Sequence, residues 1–368
     1  MGRLDRVLDD IARASAPSER VRLLARSAVL LAHVGRLDEA RRAVAQAERR
    51  MTSGSLSVLH PDVLYAKAAI RLSSGQPDEA VATLNGARDL ARDCGRRELL
   101  PPCDALLAQC LVRCGQVERA IEHAERALQS VDPSDWDTQF NTWMALGRAL
   151  MSDEQYEPAL NAYRQARVAA LELRDDVALA DLLHGIVECQ TSMLEADARH
   201  GVLDPQQAEA ALVDNQSAAR LGEQAAMLRS RARARLQRAR LLLLLLRPHE
   251  AEAVLRDLLG QHVAQLDRGE ANWARALLAR CLAERGGAVQ ARALIELSLA
   301  GVDERPIEAS LATHRVAAEV HLLLDDAESQ RAAAATSQRV RERLRDDLER
   351  SGAALRRVLK SDPSDQTA

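Results

Sequence analysis

Apolar and polar residues alternate with a helical period along most of the chain, most clearly over 141–167. There the apolar spacing predicts two amphipathic helices joined by a tight turn. The positions that set the pattern are Trp143, Leu146, Gly147, Leu150, Ala159, Tyr163 and Ala166. Gly147 and Ala159 are twelve residues apart, one near the middle of each predicted helix. Small residues at a crossing let antiparallel helices approach closely, so this stretch predicts a helical hairpin.

The same pair of small residues, spaced by twelve, recurs along the sequence. The pairs are Ala28/Ala40, Ala68/Ala80, Ala108/Ala120, Gly147/Ala159, Ala239/Ala251 and Ala279/Ala291. They begin 40, 40, 39, 92 and 40 residues apart. Gly35, Gly75 and Gly115 precede the second member of the first three pairs, where glycine favours the end of one helix before the next begins. A repeat with shared turn chemistry indicates one supersecondary unit stacked many times.

The spacing of large and small residues in 141–167 resembles that of the tetratricopeptide repeat. The resemblance extends over most of the chain and implies an all-α fold, a right-handed α-solenoid of about seven degenerate hairpins. The period near 40 residues exceeds the usual 34 of that family. In this respect the chain is similar to the long-helix variant found in bacterial transcriptional activators and signalling proteins.

The repeat phase gives the predicted boundaries. The units are expected at 19–50, 58–92, 101–129, 135–172, 175–222, 220–265 and 269–300, with a half-unit at 306–324. The 92-residue interval is expected to hold one atypical unit and an insertion. A long charged helix is predicted over 326–360, either capping the stack or forming a coiled-coil connector, and 361–368 is expected to be a disordered tail.

Composition supports a helical, soluble protein and excludes several classes. Aromatic residues make up 2% of the chain, and the apolar 47% is carried mainly by Ala and Leu. A net charge of −4 gives no general attraction to nucleic acid, and the arginine-rich segment 229–240 has no aromatic platform beside it. The first residues lack the apolar core of a secretory signal, and the run Leu241–Leu246 is far too short to span a membrane. A cytoplasmic location is expected.

No catalytic or cofactor motif occurs in the sequence. It contains no glycine-rich phosphate loop, HExxH or GxSxG, so neither enzymatic activity nor a cofactor is expected. The six cysteines lack paired CxxC spacing and are interpreted as small buried residues, with reduced thiols or a metal site as alternatives. They are Cys94, Cys103, Cys110, Cys114, Cys189 and Cys281.

The resemblance further implies that the first helix of each unit lines a concave groove for a peptide or partner helix. The residues mapped to that groove are Arg22, Arg26, Val29, Tyr65, Gln109, Arg113, Asn141, Met144, Arg148, Arg233, Arg240 and Arg280. Several arginines together would favour an acidic or carboxylate-bearing segment. The alternative is that these arginines are solvated or paired with the chain's own glutamates. Ala25 and Val29 stand where the family's chaperone-tail clamp carries polar residues, so that activity is not expected.

Two functions are therefore predicted from different classes. The first is a protein-interaction scaffold whose groove binds a peptide or helix. The alternative is the sensory or regulatory portion of a bacterial signalling protein, responsive to a ligand or peptide, which acts through an output domain or partner. Self-association through the C-terminal helix or an exposed end repeat is a third hypothesis.

Overall fold

The computed structural model describes residues 3–51, 58–225, 227–300 and 307–342, and over these residues the chain is helical throughout, without a strand. The helices are α1 (Arg3–Arg13), α2 (Pro17–His33), α3 (Leu37–Met51), α4 (His60–Ser73), α5 (Pro77–Asp93), α6 (Leu100–Arg113), α7 (Val117–Ser130), α8 (Trp136–Ser152), α9 (Tyr156–Leu173), α10 (Asp176–Arg199), α11 (Pro205–Gln224), α12 (Leu228–Leu244), α13 (Pro248–Asp257), α14 (Arg268–Glu284), α15 (Ala288–Ala300), α16 (Ile307–Leu323) and α17 (327–342). A π-helical turn, Leu258–His262, and a 3₁₀ turn, Val263–Gln265, extend α13.

After α1, the helices form eight antiparallel hairpins, α2/α3 to α16/α17, joined by turns of one kind. Each turn contains one residue with a left-handed backbone: Gly35, Gly75, Gly115, Glu154, Gly201, Leu246, Gly286 and Asp325. The N–H of the next residue donates to the carbonyl five positions earlier, as from Arg36 to Leu31 and from Asp326 to His321. This bond satisfies a carbonyl left free at the helix end. Glycine is frequent in the turn because it adopts the left-handed conformation without steric cost.

The turns also account for the 92-residue interval. From Glu154 to Gly201 is 47 residues and from Gly201 to Leu246 is 45, so the interval holds one complete hairpin, α10/α11, with long helices of 24 and 20 residues. Leu194 and Gln206 stand where other hairpins have their small pair. The small-residue spacing therefore could not detect this unit.

The last hairpin differs from the prediction of a half-unit at 306–324 followed by a separate long helix. Helix α17 follows α16 through the same turn, and Ala333 joins the apolar cluster that contains Ala317 and Val320. The predicted helical segment 343–360 and the tail 361–368 lie outside the described residues.

The small residues lie in the core. Both members of the pairs Ala28/Ala40 and Ala279/Ala291 have no exposed surface and belong to a shared cluster. Burial of small side chains at each crossing lets the larger Leu, Tyr and Met side chains of neighbouring helices fill the remaining space.

Contacts across the concave side of the stack join the first hairpin to the fifth and the third to the seventh. Val34, after α2, packs with Ala180 of α10 and with Met227, and Arg113 of α6 binds Asp267, which caps α14, at 3.0 Å. These contacts divide the concave side into separate spaces.

Candidate functional site

The concave side holds two cavities. The central cavity, of about 500 Å³, is lined by residues of α6, α8, α9, α10, α12, α14, α16 and α17. The amino-terminal cavity, of about 680 Å³, is lined by residues of α1, α2, α4, α6, α8, the start of α10 and the ends of α9 and α11. Both volumes lie in the range of ligand-binding pockets.

The predicted groove residues are divided between these cavities. Arg22, Arg26, Tyr65 and Asn141, with Val29, line the amino-terminal cavity. Arg113, Arg148, Arg233 and Arg240 line the central cavity.

Three predicted groove residues do not line either cavity. Gln109 donates from Nε2 to Asn141 Oδ1 at 2.9 Å. Met144 is wholly buried in the core, and Arg280 is held by Glu284 and Glu319. Met144 lies on the inner face of α8 but packs in the core. Its position in the repeat could not show that its side chain would be buried.

The arginines of the central cavity are paired with carboxylates of the same chain. Arg113 contacts Asp267 at 3.0 Å, and Arg148 contacts Asp181 at 3.1 Å. Arg233 donates from Nε to Glu270 Oε1 at 2.6 Å. This arrangement corresponds to the alternative in which internal carboxylates neutralise the arginines, so the cavity is not a strongly basic surface.

Arg240 is the most completely enclosed of these arginines, with 2% of its surface exposed. It donates to Glu195 at 2.8 Å, to Ser192 at 3.1 Å and to Glu188, and its guanidinium lies 4.3 Å from the centre of the Trp273 ring. Burial alone would lower the pKa of Arg240, but the two glutamates outweigh it and the pKa is raised. Arg240 is therefore a structural anchor for α10, α12 and α14.

The arginine-rich helix α12 uses its charges in the same way. Besides Arg233 and Arg240, Arg235 donates to Asp257 at 2.9 Å. Guanidinium groups that are already paired with carboxylates are poor phosphate ligands, which favours a structural role for this segment.

Helix α10 supplies a polar stripe to the central cavity that the sequence reasoning missed. Asp181, His184, Glu188, Ser192 and Glu195 follow one another at intervals of three or four residues and so lie on one face. All but Asp181 line the cavity. The spacing was visible in the sequence, but α10 belonged to the unit with the weakest repeat signal.

Asp181 connects the two cavities. Its carboxylate contacts Arg148, in the central cavity, at 3.1 Å and His33, in the amino-terminal cavity, at 3.8 Å. Burial would lower the pKa of His33, but Asp181 outweighs it and the pKa is raised. Burial would raise the pKa of Asp181, but Arg148 and His33 outweigh it and the pKa is lowered. The contact therefore favours the protonated, positively charged form of His33 and the ionised form of Asp181.

Three polar side chains of the central cavity have no hydrogen-bond partner among the described residues. They are Tyr163 through Oη, His184 through both ring nitrogens, and Trp273 through Nε1. Tyr163 is fully buried and His184 is 6% exposed. Burial, and next the nearby Arg233, lower the pKa of His184 to about 4, so its imidazole is neutral at neutral pH.

Ion pairs of α1 border the amino-terminal cavity. Arg3 contacts Asp137 and, at 3.6 Å, Asp175, which precedes α10. Arg26 of α2 lies 3.8 Å from the same Asp137. Arg26, a predicted groove residue, therefore also lies close to a carboxylate of the same chain.

The cysteines do not form disulfides. Five of them are buried and Cys94 is half-buried. Burial raises the pKa of Cys103, Cys189 and Cys281 to about 12, which is typical of packing residues rather than reactive thiols. Within the described ranges, no group of three His, Cys, Asp or Glu residues is arranged to hold a metal ion. In the same ranges, every helix is too short or too polar to cross a membrane.

Sequence comparison finds no match: no protein-family model and no curated protein matches the chain. Among solved structures, the fold is similar to that of a Rap protein in complex with Competence and Sporulation Factor. The two chains are 15% identical, 93% of this chain and 97% of the other are covered, and the TM-score is 0.62.

Two further structures are more distantly similar. The apo form of RapI is 11% identical over 93% of this chain and 99% of its own, with a TM-score of 0.47. Pseudomonas aeruginosa PilF is 17% identical over 66% of this chain and 93% of its own, with a TM-score of 0.42. The likeness to the Rap complex establishes the fold, and it confirms the predicted class: an all-α solenoid of tetratricopeptide-like hairpins.

Proposed function

We propose that this protein is an interaction module that binds a short extended peptide segment of a partner in its central cavity. The observation that carries the proposal is that contacts across the concave side divide it into separate cavities. The contacts of Arg113 with Asp267 and of Val34 with Ala180 span it, leaving about 500 Å³ in the central cavity. A helix with its side chains is about 10–12 Å wide and needs an open groove, whereas a short extended peptide does not.

The fold is compatible with this role. The Rap protein of similar fold was solved in complex with another molecule, Competence and Sporulation Factor. The paired arginines of this chain do not favour a strongly acidic partner, so we do not require one. We propose a role without catalysis or a cofactor, with a protein or peptide as the partner and the cytoplasm as the location.

A second candidate is a sensor, and Asp181 is the observation that favours it. A ligand that attracts Arg148 would weaken the contact of Arg148 with Asp181 and so alter the packing of Asp181 against His33. Binding in the central cavity would then change how the first hairpin closes on α10. This would suit the long-helix variant of bacterial signalling proteins, with the response passed to a partner protein.

The proposed function is tested by affinity selection from a synthetic library of short random peptides, with bound peptides identified by mass spectrometry. Leu311, half-buried in the wall of the central cavity, is replaced by Trp to fill it. Val168, 53% exposed on α9, is replaced by Trp as the matched control. We expect the wild type and Val168→Trp to retain the same peptides and Leu311→Trp to lose them. Retention by none of the proteins, or equal retention by Leu311→Trp, would contradict the proposal.

Hydrogen exchange then separates the scaffold from the sensor. If the protein is a sensor, a retained peptide should change the exchange of backbone amides in α1 and α2, which do not line the central cavity. A scaffold should show changes confined to the helices around that cavity.

A further inference from the structure

The three unpartnered side chains of the central cavity share one property: each is an uncharged hydrogen-bonding group. Tyr163 offers a hydroxyl, His184 a neutral imidazole and Trp273 an indole N–H. Buried polar side chains in folded proteins almost always have a partner, so three exceptions around one cavity point to a group that binds there.

Packing holds Tyr163 and His184 at the same level of the cavity. The Tyr163 ring lies in a slot between α8 and α10, at Gly147 and Gly185. A Cβ atom added at Gly185 would lie 3.2 Å from Tyr163 Cε1. His184 directly precedes Gly185 on α10 and lines the same cavity. The hydroxyl and the imidazole are thus presented by neighbouring, tightly packed positions.

Trp273 lies further along the same cavity. Its ring is covered by the guanidinium of Arg240, which is itself bound to Glu188 and Glu195, respectively one and three turns after His184 on α10. A ligand that reaches both Trp273 and His184 must therefore extend along α10. An extended peptide has this shape and carries a polar group at every residue.

The charges that surround the three side chains are already balanced. Arg233, Glu188, Asp181 and Glu270 are the charged groups that face His184, and Arg148 faces Tyr163 most strongly. Arg233 is paired with Glu270 and Arg148 with Asp181. A ligand with an unpaired charge would enter a neutral, largely buried environment, which is unfavourable.

An amide group matches this environment because it is neutral and has both an acceptor and a donor. Its carbonyl can accept from the Tyr163 O–H or the Trp273 N–H, and its N–H can donate to the free nitrogen of His184. We propose that Tyr163, His184 and Trp273 form a subsite for uncharged amide groups, such as the peptide bond or the side chain of Asn or Gln. The proposal rests on the proposed function only in taking a peptide as the source of the amide.

The test compares propionamide with propionate, which have the same shape but differ in charge. The protein is labelled with ¹³C at the histidine Cε1 position, and the His184 signal is identified by its absence in the His184→Asn variant. At pH 7.5, propionamide should shift the His184 signal in a saturable way, and propionate at the same concentration should not. Tyr163→Phe, which loses only the hydroxyl, should weaken the propionamide effect at least about threefold.

Each other result has a defined meaning. An equal or larger shift with propionate would overturn the amide assignment and indicate an anion site. No shift with either compound would also overturn it, and would mean that water satisfies these groups. Unchanged binding in Tyr163→Phe would remove Tyr163 from the subsite. The peptide selection is a separate measurement, so a protein that binds propionamide but retains no peptide would refute the proposed function and leave the subsite intact.

Discussion

The ring of Tyr163 occupies the space that a side chain at residue 147 would need. A Cβ atom built on Gly147 would lie 2.5 Å from Tyr163 Cε1 and 2.8 Å from Cζ. Tyr163 is fully buried and also packs against Gly185 on α10, so its ring cannot shift away from Gly147. The repeat's small residue is glycine in this hairpin because a whole aromatic ring packs against it.

Gly147→Ala should therefore destabilise the protein by about 1–3 kcal/mol, the usual cost of overpacking a core. Gly86→Ala is the matched control, since Gly86 is an exposed helical glycine with nothing within 4 Å of the added Cβ. It should stabilise the protein by about 0.5–1 kcal/mol through helix propensity. The measurement is the urea midpoint of unfolding. In a Tyr163→Leu background the cost of Gly147→Ala should shrink, and an unchanged cost would contradict the packing argument.

Leu246→Gly should stabilise the protein by about 0.5–1 kcal/mol, because Leu246 has a positive φ of 57° and its side chain is 84% exposed. Relief of the left-handed strain outweighs the small loss of packing. The reciprocal change, Gly286→Ala, at φ 81° with nothing within 4 Å, should destabilise by about 1 kcal/mol from backbone strain alone. Thermal unfolding curves of both variants provide the comparison, and shifts of the same sign would refute the explanation.

Arg240→Met should cost about 3–5 kcal/mol, because it leaves Glu188 and Glu195 largely buried without their main cation. In the wild type the pKa of each glutamate is lowered: burial raises it, but Arg240 outweighs that effect. The glutamates therefore contribute stability above their unfolded pKa of about 4.3, and this contribution is lost as the pH falls through the folded pKa.

Without Arg240, burial keeps the pKa of both glutamates high, so the difference in stability between variant and wild type should be largest at neutral pH and smaller near pH 4. Denaturant titrations at both values measure it. Adding Glu188→Gln and Glu195→Gln should restore part of the stability. Arg247→Met removes an exposed pair with Glu250 and serves as the control with little change. A loss from Arg240→Met that is independent of pH would contradict the ionic account.

His184 should make the protein less stable as the pH falls from about 6.5 to about 4. Burial, followed by the charge of Arg233, lowers its folded pKa to about 4, below the unfolded value of 6.5. The unfolded state thus binds the proton first, and the loss amounts to about 3 kcal/mol once the pH is below both values.

His184→Phe should flatten the stability profile in that window, whereas His249→Phe, at an exposed position, should retain the wild-type profile. Urea midpoints across the pH range measure the effect. An unaltered slope in His184→Phe would show that His184 is not the responsible group.

Hairpin recognition from sequence succeeded where the small pair was present. Ala28/Ala40 and Ala279/Ala291 predicted two hairpins whose members are buried together. It was incomplete at α10/α11, where Leu194 and Gln206 replace the small pair but the left-handed turn at Gly201 is kept. The left-handed turn is more constant than the pair of small residues. It also occurs at non-glycine residues such as Glu154, where the sequence gives no sign of it.

The groove was harder to predict than the hairpins. The repeat register placed Arg113 and Arg148 on inner helices, and both line the central cavity. It could not show that Asp267, 154 residues away in sequence, would neutralise Arg113. The unit at 175–222 was expected, but the predicted groove took no residue from α10, so His184 and Glu188 were absent from it.

By itself, the sequence determined the helical period, the antiparallel hairpins and their order in the stack, because these depend on contacts between residues a few turns apart. The curvature that brings α2 to α10 and α6 to α14 was decided only in the tertiary structure. It is the sum of small rotations at every hairpin interface, and no single residue encodes it. The two cavities, the pairing of their arginines and the lack of hydrogen-bond partners for Tyr163, His184 and Trp273 all follow from that curvature.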